Sequence, residues 1–142
     1  SFPTRRSSDL QTHMSLKAPC IEEAAEVICG INILDQTGNA ENLKEELGDL
    51  LLQVMLHAEI AEEEGLFTID DVVKGITEKM IRRHPHVFGE VTVSDSGEVL
   101  KNWEAIKREE KKGKISDAEY LNDAFDESVQ LIEVARERKA KK

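Results

Sequence analysis

Long apolar runs are missing from this chain. No stretch approaches the roughly 20 consecutive apolar residues that a membrane-spanning helix needs, and no basic start followed by an apolar core marks a signal peptide. The expectation is a water-borne, cytoplasmic protein with no membrane partner. Cysteine is scarce: Cys20 and Cys29 are the only two. Nine residues apart on one expected helix, they cannot bridge each other there, so reduced thiols are expected. Aromatics make up 4% of the residues, with eight Gly and three Pro, while Ala, Leu, Ile, Glu and Lys dominate, which favours helix over sheet. Basic charge is also short. Nineteen Lys and Arg stand against 29 Asp and Glu, a formal net charge of −10, and this excludes a nucleic-acid binder, which needs a basic surface against phosphates. A small phosphorylated ligand stays open, because divalent cations can supply positive charge locally.

What is present is 142 residues with 39% hydrophobic content, enough for one domain with a core. The patterning reads as an all-α bundle of four to five helices. Residues 1–10, "SFPTRRSSDL", resemble the translation of a sequencing adapter and stay outside the fold argument. A first helix is expected from about Met14 or Pro19 to Ile33, with Pro19 tolerated in the first turn. "DQTGNAEN" reads as a loop. A second helix takes Ala40 to about Glu64 and stops at Gly65, which accepts the left-handed conformation. Thr68 offers an N-cap for a third over 69–83, ended by Pro85. A short extended piece is expected at Val91–Val93. A fourth helix restarts at Ser94–Ser96, carries Leu100, Trp103 and Ile106 as its apolar stripe, and closes at Gly113. The remainder forms a fifth through Leu121, Phe125, Val129 and Ile132, its basic tail suiting the negative end of the helix dipole. By this reading residues 11–112 are the working domain and 113–142 a C-terminal amphipathic helix and tail.

The second helix carries the sharpest signal. On a helical wheel Leu47, Leu50, Leu51, Val54, Ala58 and Ala61 share one broad face with Leu43, which reads as a core face. Leu52, Leu56 and Ile60 fall on another sector, and Glu46, Asp49, Gln53 and His57 run between the two. The first helix carries "EEAAE", in which Glu26 can converge with Glu22 or Glu23 on one helix face. Glu46 and Asp49 are likewise three apart. Packed antiparallel, two such helices would oppose two carboxylate pairs, a pocket that repels itself unless cations fill it. All-oxygen ligands select hard ions such as Mg²⁺ or Mn²⁺; a buried Arg could compensate the same charges. A di-iron bundle is excluded, because positions 10, 54, 81 and 83, three before each histidine, hold Leu, Val, Ile and Arg.

The ordered segments "QTHMSL", "EEAAE", "EELGDLLLQV", "AEEEGLF", "IRRHPHVFG" and "EVLKNWEAIK" resemble the MazG family of nucleoside triphosphate pyrophosphohydrolases, over about Gln11 to Lys112. The resemblance implies an all-α fold, assembly as a homodimer or higher homo-oligomer, and Mg²⁺-dependent hydrolysis of a nucleoside triphosphate to monophosphate and pyrophosphate, with nucleotide-pool housecleaning as its purpose. Carried over residue by residue, it makes Glu23, Glu26, Glu46 and Asp49 the metal ligands, with Glu22 a further ligand or the group that orients water. Arg82 and Arg83 either contact phosphate or complement the helix end. Trp103 and Lys107, one turn apart, fall near the nucleotide, and Lys17 is a further phosphate candidate. Gln11 and His13 match the family's "QTH" with no derived role. His57 and Gln53 either support the site or bond within the core, and the roles of His84 and His86 stay open. The family's "CPWD"-like segment before "QTH" is replaced here by the adapter-like stretch. Two readings compete with this one: a related all-α pyrophosphatase acting on dUTP or phosphoribosyl-ATP, and a non-catalytic helical oligomerisation domain.

Overall fold

The computed structural model describes residues 11–84, 96–111 and 114–141. Among the described residues five helices follow in order: α1 Lys17–Thr37, α2 Glu41–Glu63, α3 Ile69–Arg83, α4 Ser96–Lys111 and α5 Ala118–Ala140. No strand occurs among the described residues, so the all-α expectation holds. Pro85, the Val91–Val93 piece, His86 and Gly113 fall outside the described residues. The described residues up to Ile69, together with those from Asn122 onward, form one compact unit; Asp70–Leu121 forms a second.

The helix boundaries follow from local chemistry. Pro19 is the third residue of α1, where its missing N–H has no intrahelical partner to lose. α1 runs four residues beyond the expected end at Ile33. The Thr37 hydroxyl donates back to the Ile33 carbonyl at 2.7 Å, and Gly38 (φ 79°) closes the turn, its N–H donating to the Leu34 carbonyl at 2.8 Å. Gly65 (φ 73°) stops α2 as expected, with the Leu66 N–H donating to the Ala61 carbonyl at 2.8 Å. Ahead of α1, Thr12 and Ser15 bond reciprocally, each backbone N–H donating to the other's hydroxyl at 2.8 and 3.0 Å. This pairing has the form of a capping box, and it plants Leu16 in the core.

α1 and α2 pack antiparallel, and the register is readable in matched pairs. Gly30 sits against the Leu43 backbone, Glu26 beside Glu46, and His13 beside His57. The face of α2 turned toward α1 is therefore the polar line: Gln53 is only 7% exposed and Ile60 fully buried beside it. This corrects the wheel reading. Ala58 and Ala61 are buried as expected, but Leu47, Leu51 and Val54 are 48%, 58% and 40% exposed. The reason is that Glu46 and Asp49 follow α1's own carboxylates, and a helix can turn only one sector toward one neighbour. α5 joins the first unit through Ala135, which is buried, with Leu131 and Ile132 half-buried. Its expected stripe is largely uncovered: Leu121, Phe125 and Val129 are exposed.

Candidate metal and nucleotide site

The α1–α2 seam gathers four carboxylates. Glu23 and Glu26 of α1 and Glu46 and Asp49 of α2 each place an oxygen within 4.8 Å of the others, all four half-buried. The three-residue spacing on each helix makes each pair, and antiparallel packing brings the pairs together. Four like charges this close oppose one another, and the ionisation equilibria record it. Burial first, then a hydrogen bond to Glu26 and the nearby charges of Glu26, Asp49 and Glu46, push the Glu23 carboxyl up to about 7. Burial and the contact with Glu26 raise Glu46 in the same way. Glu26 moves the other way, because Lys139 of α5 donates to it at 2.7 Å and holds it below the usual carboxylate range against the cost of burial.

Whether a cation fits can be judged from the oxygens themselves. Glu23 Oε2 and Glu46 Oε2 are both buried without a hydrogen-bond partner, which is costly for acceptors withdrawn from water. An all-oxygen donor set with unfilled acceptors suits a hard divalent cation. Among the described residues no Arg enters the quartet, and Lys139 is the cationic side chain that reaches Glu26.

Other expected residues land elsewhere. Glu22 is ion-paired with Arg138 of α5 and lies outside the convergent quartet. Lys17 is paired with Glu127 at 3.1 Å. In the second unit, Arg83 Nε donates to Glu110 at 2.9 Å and Arg82 lies 3.7 Å from the same carboxylate. Burial raises the Glu110 carboxyl, but the Arg83 hydrogen bond and the charges of Arg83, Arg82 and Lys79 together hold it below its ordinary value. Lys107 lies over the Trp103 ring, 5.0 Å from its centroid, a cation–π contact at the expected one-turn spacing. His84 Nδ1 lies 3.1 Å from the Met80 carbonyl oxygen.

Three features of the first unit escaped the sequence reading. His13 Nδ1 and His57 Nδ1 are 2.8 Å apart, with their rings stacked, so His57 of the polar line binds the "QTH" turn and not the carboxylates. Gln53 Oε1 is buried without a partner in the same seam. Arg138 and Lys139 reach α1 from a tail whose only sequence signal was its positive charge.

Against this geometry, a profile described as the MazG nucleotide pyrophosphohydrolase domain matches residues 11–88. The chain belongs to the MazG family. Over 101 residues, 71% of the chain, it is 58% identical to the uncharacterized protein YabN of Bacillus subtilis. Over the same share it is 52% identical to the nucleoside triphosphate pyrophosphohydrolase/pyrophosphatase MazG of Thermotoga maritima, and 43% identical to the nucleoside triphosphate pyrophosphohydrolase of Escherichia coli K12. It spans 20%, 36% and 37% of the lengths of these three relatives. No solved structure matches the chain at a significant level. The matched MazG region holds all four quartet residues, whereas α5 lies beyond it. No described helix is long and apolar enough to cross a membrane.

Proposed function

We propose that this MazG domain hydrolyses nucleoside triphosphates to monophosphate and pyrophosphate in a Mg²⁺-dependent reaction, with removal of nonstandard or excess nucleotides as its purpose. The observation that carries the reading is the carboxylate quartet with two buried, unpartnered oxygens. Two of the relatives that share this region are named for that activity. Glu23, Glu26, Glu46 and Asp49 are the proposed ligands, fixed on two helices whose register the Gly30–Leu43 contact sets. Mg²⁺ held by these four carboxylates, or Mn²⁺ in its place, would supply positive charge that offsets the triphosphate and would favour attack of water on the α-phosphorus. Glu22, held by Arg138 beside the quartet, is kept as the residue that orients water. Arg82, Arg83, Trp103 and Lys107 are the proposed nucleotide contacts; Lys17, already paired with Glu127, is the remaining phosphate candidate.

The exposed apolar residues of α2, Leu47, Leu51 and Val54, support a homodimer in which a second copy covers them. A soluble, cytoplasmic setting accords with two free, exposed cysteines.

The test is a panel of nucleoside triphosphates incubated with Mg²⁺ while both products are followed. Equimolar monophosphate and pyrophosphate is the expected result; release of orthophosphate in its place rejects the reading. Glu46→Gln and Asp49→Asn should each abolish turnover, and a near wild-type rate in either overturns the ligand assignment. Light scattering should give the mass of a dimer, reduced to a monomer by Leu51→Glu.

A further inference from the structure

Glu26 is claimed twice. It belongs to the quartet, and it accepts the Lys139 ammonium at 2.7 Å from the last turns of α5. One residue away, Arg138 occupies Glu22. From these contacts we infer that the end of α5 is a built-in cationic strap: Lys139 neutralises the quartet in the metal-free chain and competes with a divalent cation for it. The inference rests on the proposed metal site and adds its regulation by a segment outside the matched MazG region.

The physical case has three parts. An ammonium bonded to a quartet carboxylate lies within a few ångströms of any cation held by that carboxylate, and the two repel. Lys139 is 54% exposed on its side chain, so it can leave toward water at little cost. The docking of α5 is also shallow on the described residues. Apolar burial there centres on Ala135, and the remaining ties are the ion pairs Lys17–Glu127, Arg138–Glu22 and Lys139–Glu26. The two lysine pairs are exposed enough to contribute little each and to be weakened by salt, whereas Glu22 under Arg138 is only 14% exposed on its side chain. A cavity of about 280 Å³ remains between the helices beside Glu26, lined also by Ala25, Cys29 and Ile132, so α5 does not close over α1 as a packed core element. The strap is thus held mainly by charge, and charge is what a divalent cation changes.

The deciding experiment is calorimetric titration of the 142-residue, metal-free chain with Mn²⁺ and no nucleotide, comparing wild type, Lys139→Met and Lys139→Arg. Lys139→Met should bind Mn²⁺ more tightly, by several-fold to about tenfold at low ionic strength, while Lys139→Arg stays near wild type. In wild type, Mn²⁺ should also speed amide hydrogen exchange over the last turns of α5, which reads strap release without any variant. Unchanged or weaker Mn²⁺ binding by Lys139→Met, or increased protection of α5 on adding Mn²⁺, overturns the strap. Absence of Mn²⁺ binding in wild type and in Lys139→Met alike overturns the metal site along with the strap, so the two failures are distinct.

Discussion

A Cβ added to Gly30 of α1 would lie 2.8 Å from Leu43 Cα and 2.9 Å from the Leu43 amide nitrogen of α2. Both obstacles are backbone, so neither can rotate away. The α1–α2 distance near the carboxylate quartet therefore depends on a missing side chain. Gly30→Ala should destabilise the protein despite the better helix propensity of Ala. Overpacking costs about 1–3 kcal/mol and propensity returns about 1 kcal/mol, leaving a net loss of up to about 2 kcal/mol by denaturant unfolding. Gly48→Ala is the control: nothing lies within 4 Å of its added Cβ, and it should be neutral or stabilising. Equal effects at the two positions would show that the close approach does not limit packing.

Much of this architecture was legible from local signals, and the failures share one cause. α3 was readable over 69–83 because Gly65 and Pro85 punctuate the chain on either side. The quartet was readable because i, i+3 spacing places two carboxylates on one face of any helix. The orientation of α2 was not. Apolar residues occupy two sectors beside a polar one, and only the partner helix decides which sector is covered. Likewise His13 meets His57 across 44 residues and Lys139 meets Glu26 across 113; contacts at such separation leave no periodic trace. The extra turn of α1 to Thr37 escaped because Asp, Thr and Gly read as a loop, while the hydroxyl of Thr37 in fact serves the helix end.

The His13–His57 pair gives the first unit an acid-sensitive joint. Burial and the neighbouring His13 lower the His57 pKa below its ordinary 6.5. The native state thus prefers neutral His57, and this contribution is present above about 6.5 and lost as pH falls through the depressed native value. The difference in thermal midpoint between His57→Gln and wild type should move in favour of the variant on acidification from pH 7 toward 5, because the variant lacks the depressed imidazole, while the carboxylates shape the slope common to both proteins. An unchanged difference places the acid sensitivity elsewhere.

In the second unit Glu110 is the hub of two arginines and only 7% exposed on its side chain. Removing Arg83 leaves a nearly buried carboxylate with only the weaker Arg82 contact, whereas Glu110→Gln keeps shape and removes charge. Arg83→Met should therefore lower the unfolding midpoint more than Glu110→Gln does. If Arg83 serves phosphate as well, Arg83→Met should also raise KM for the nucleotide at temperatures where the variant is folded. A raised KM without loss of stability would assign Arg83 to substrate alone.

Glu23 makes the sharpest link between stability and the proposed chemistry. Its pKa stands at about 7 against an ordinary 4.5, first through burial and then through the surrounding carboxylates. A raised carboxyl binds its proton more tightly in the native state, so its contribution is full below about pH 4.5 and disappears as pH rises through about 7. The metal-free protein should consequently lose thermal stability across that interval. Mn²⁺ should restore it most strongly at pH 8, since binding requires the carboxylates unprotonated. Glu23→Gln removes one of four clustered charges: at pH 8 it should raise the metal-free midpoint by a few degrees and abolish the gain from Mn²⁺. A variant that melts lower than wild type without metal, or that keeps the full gain from Mn²⁺, would show that Glu23 is held in the seam for packing and not for a cation.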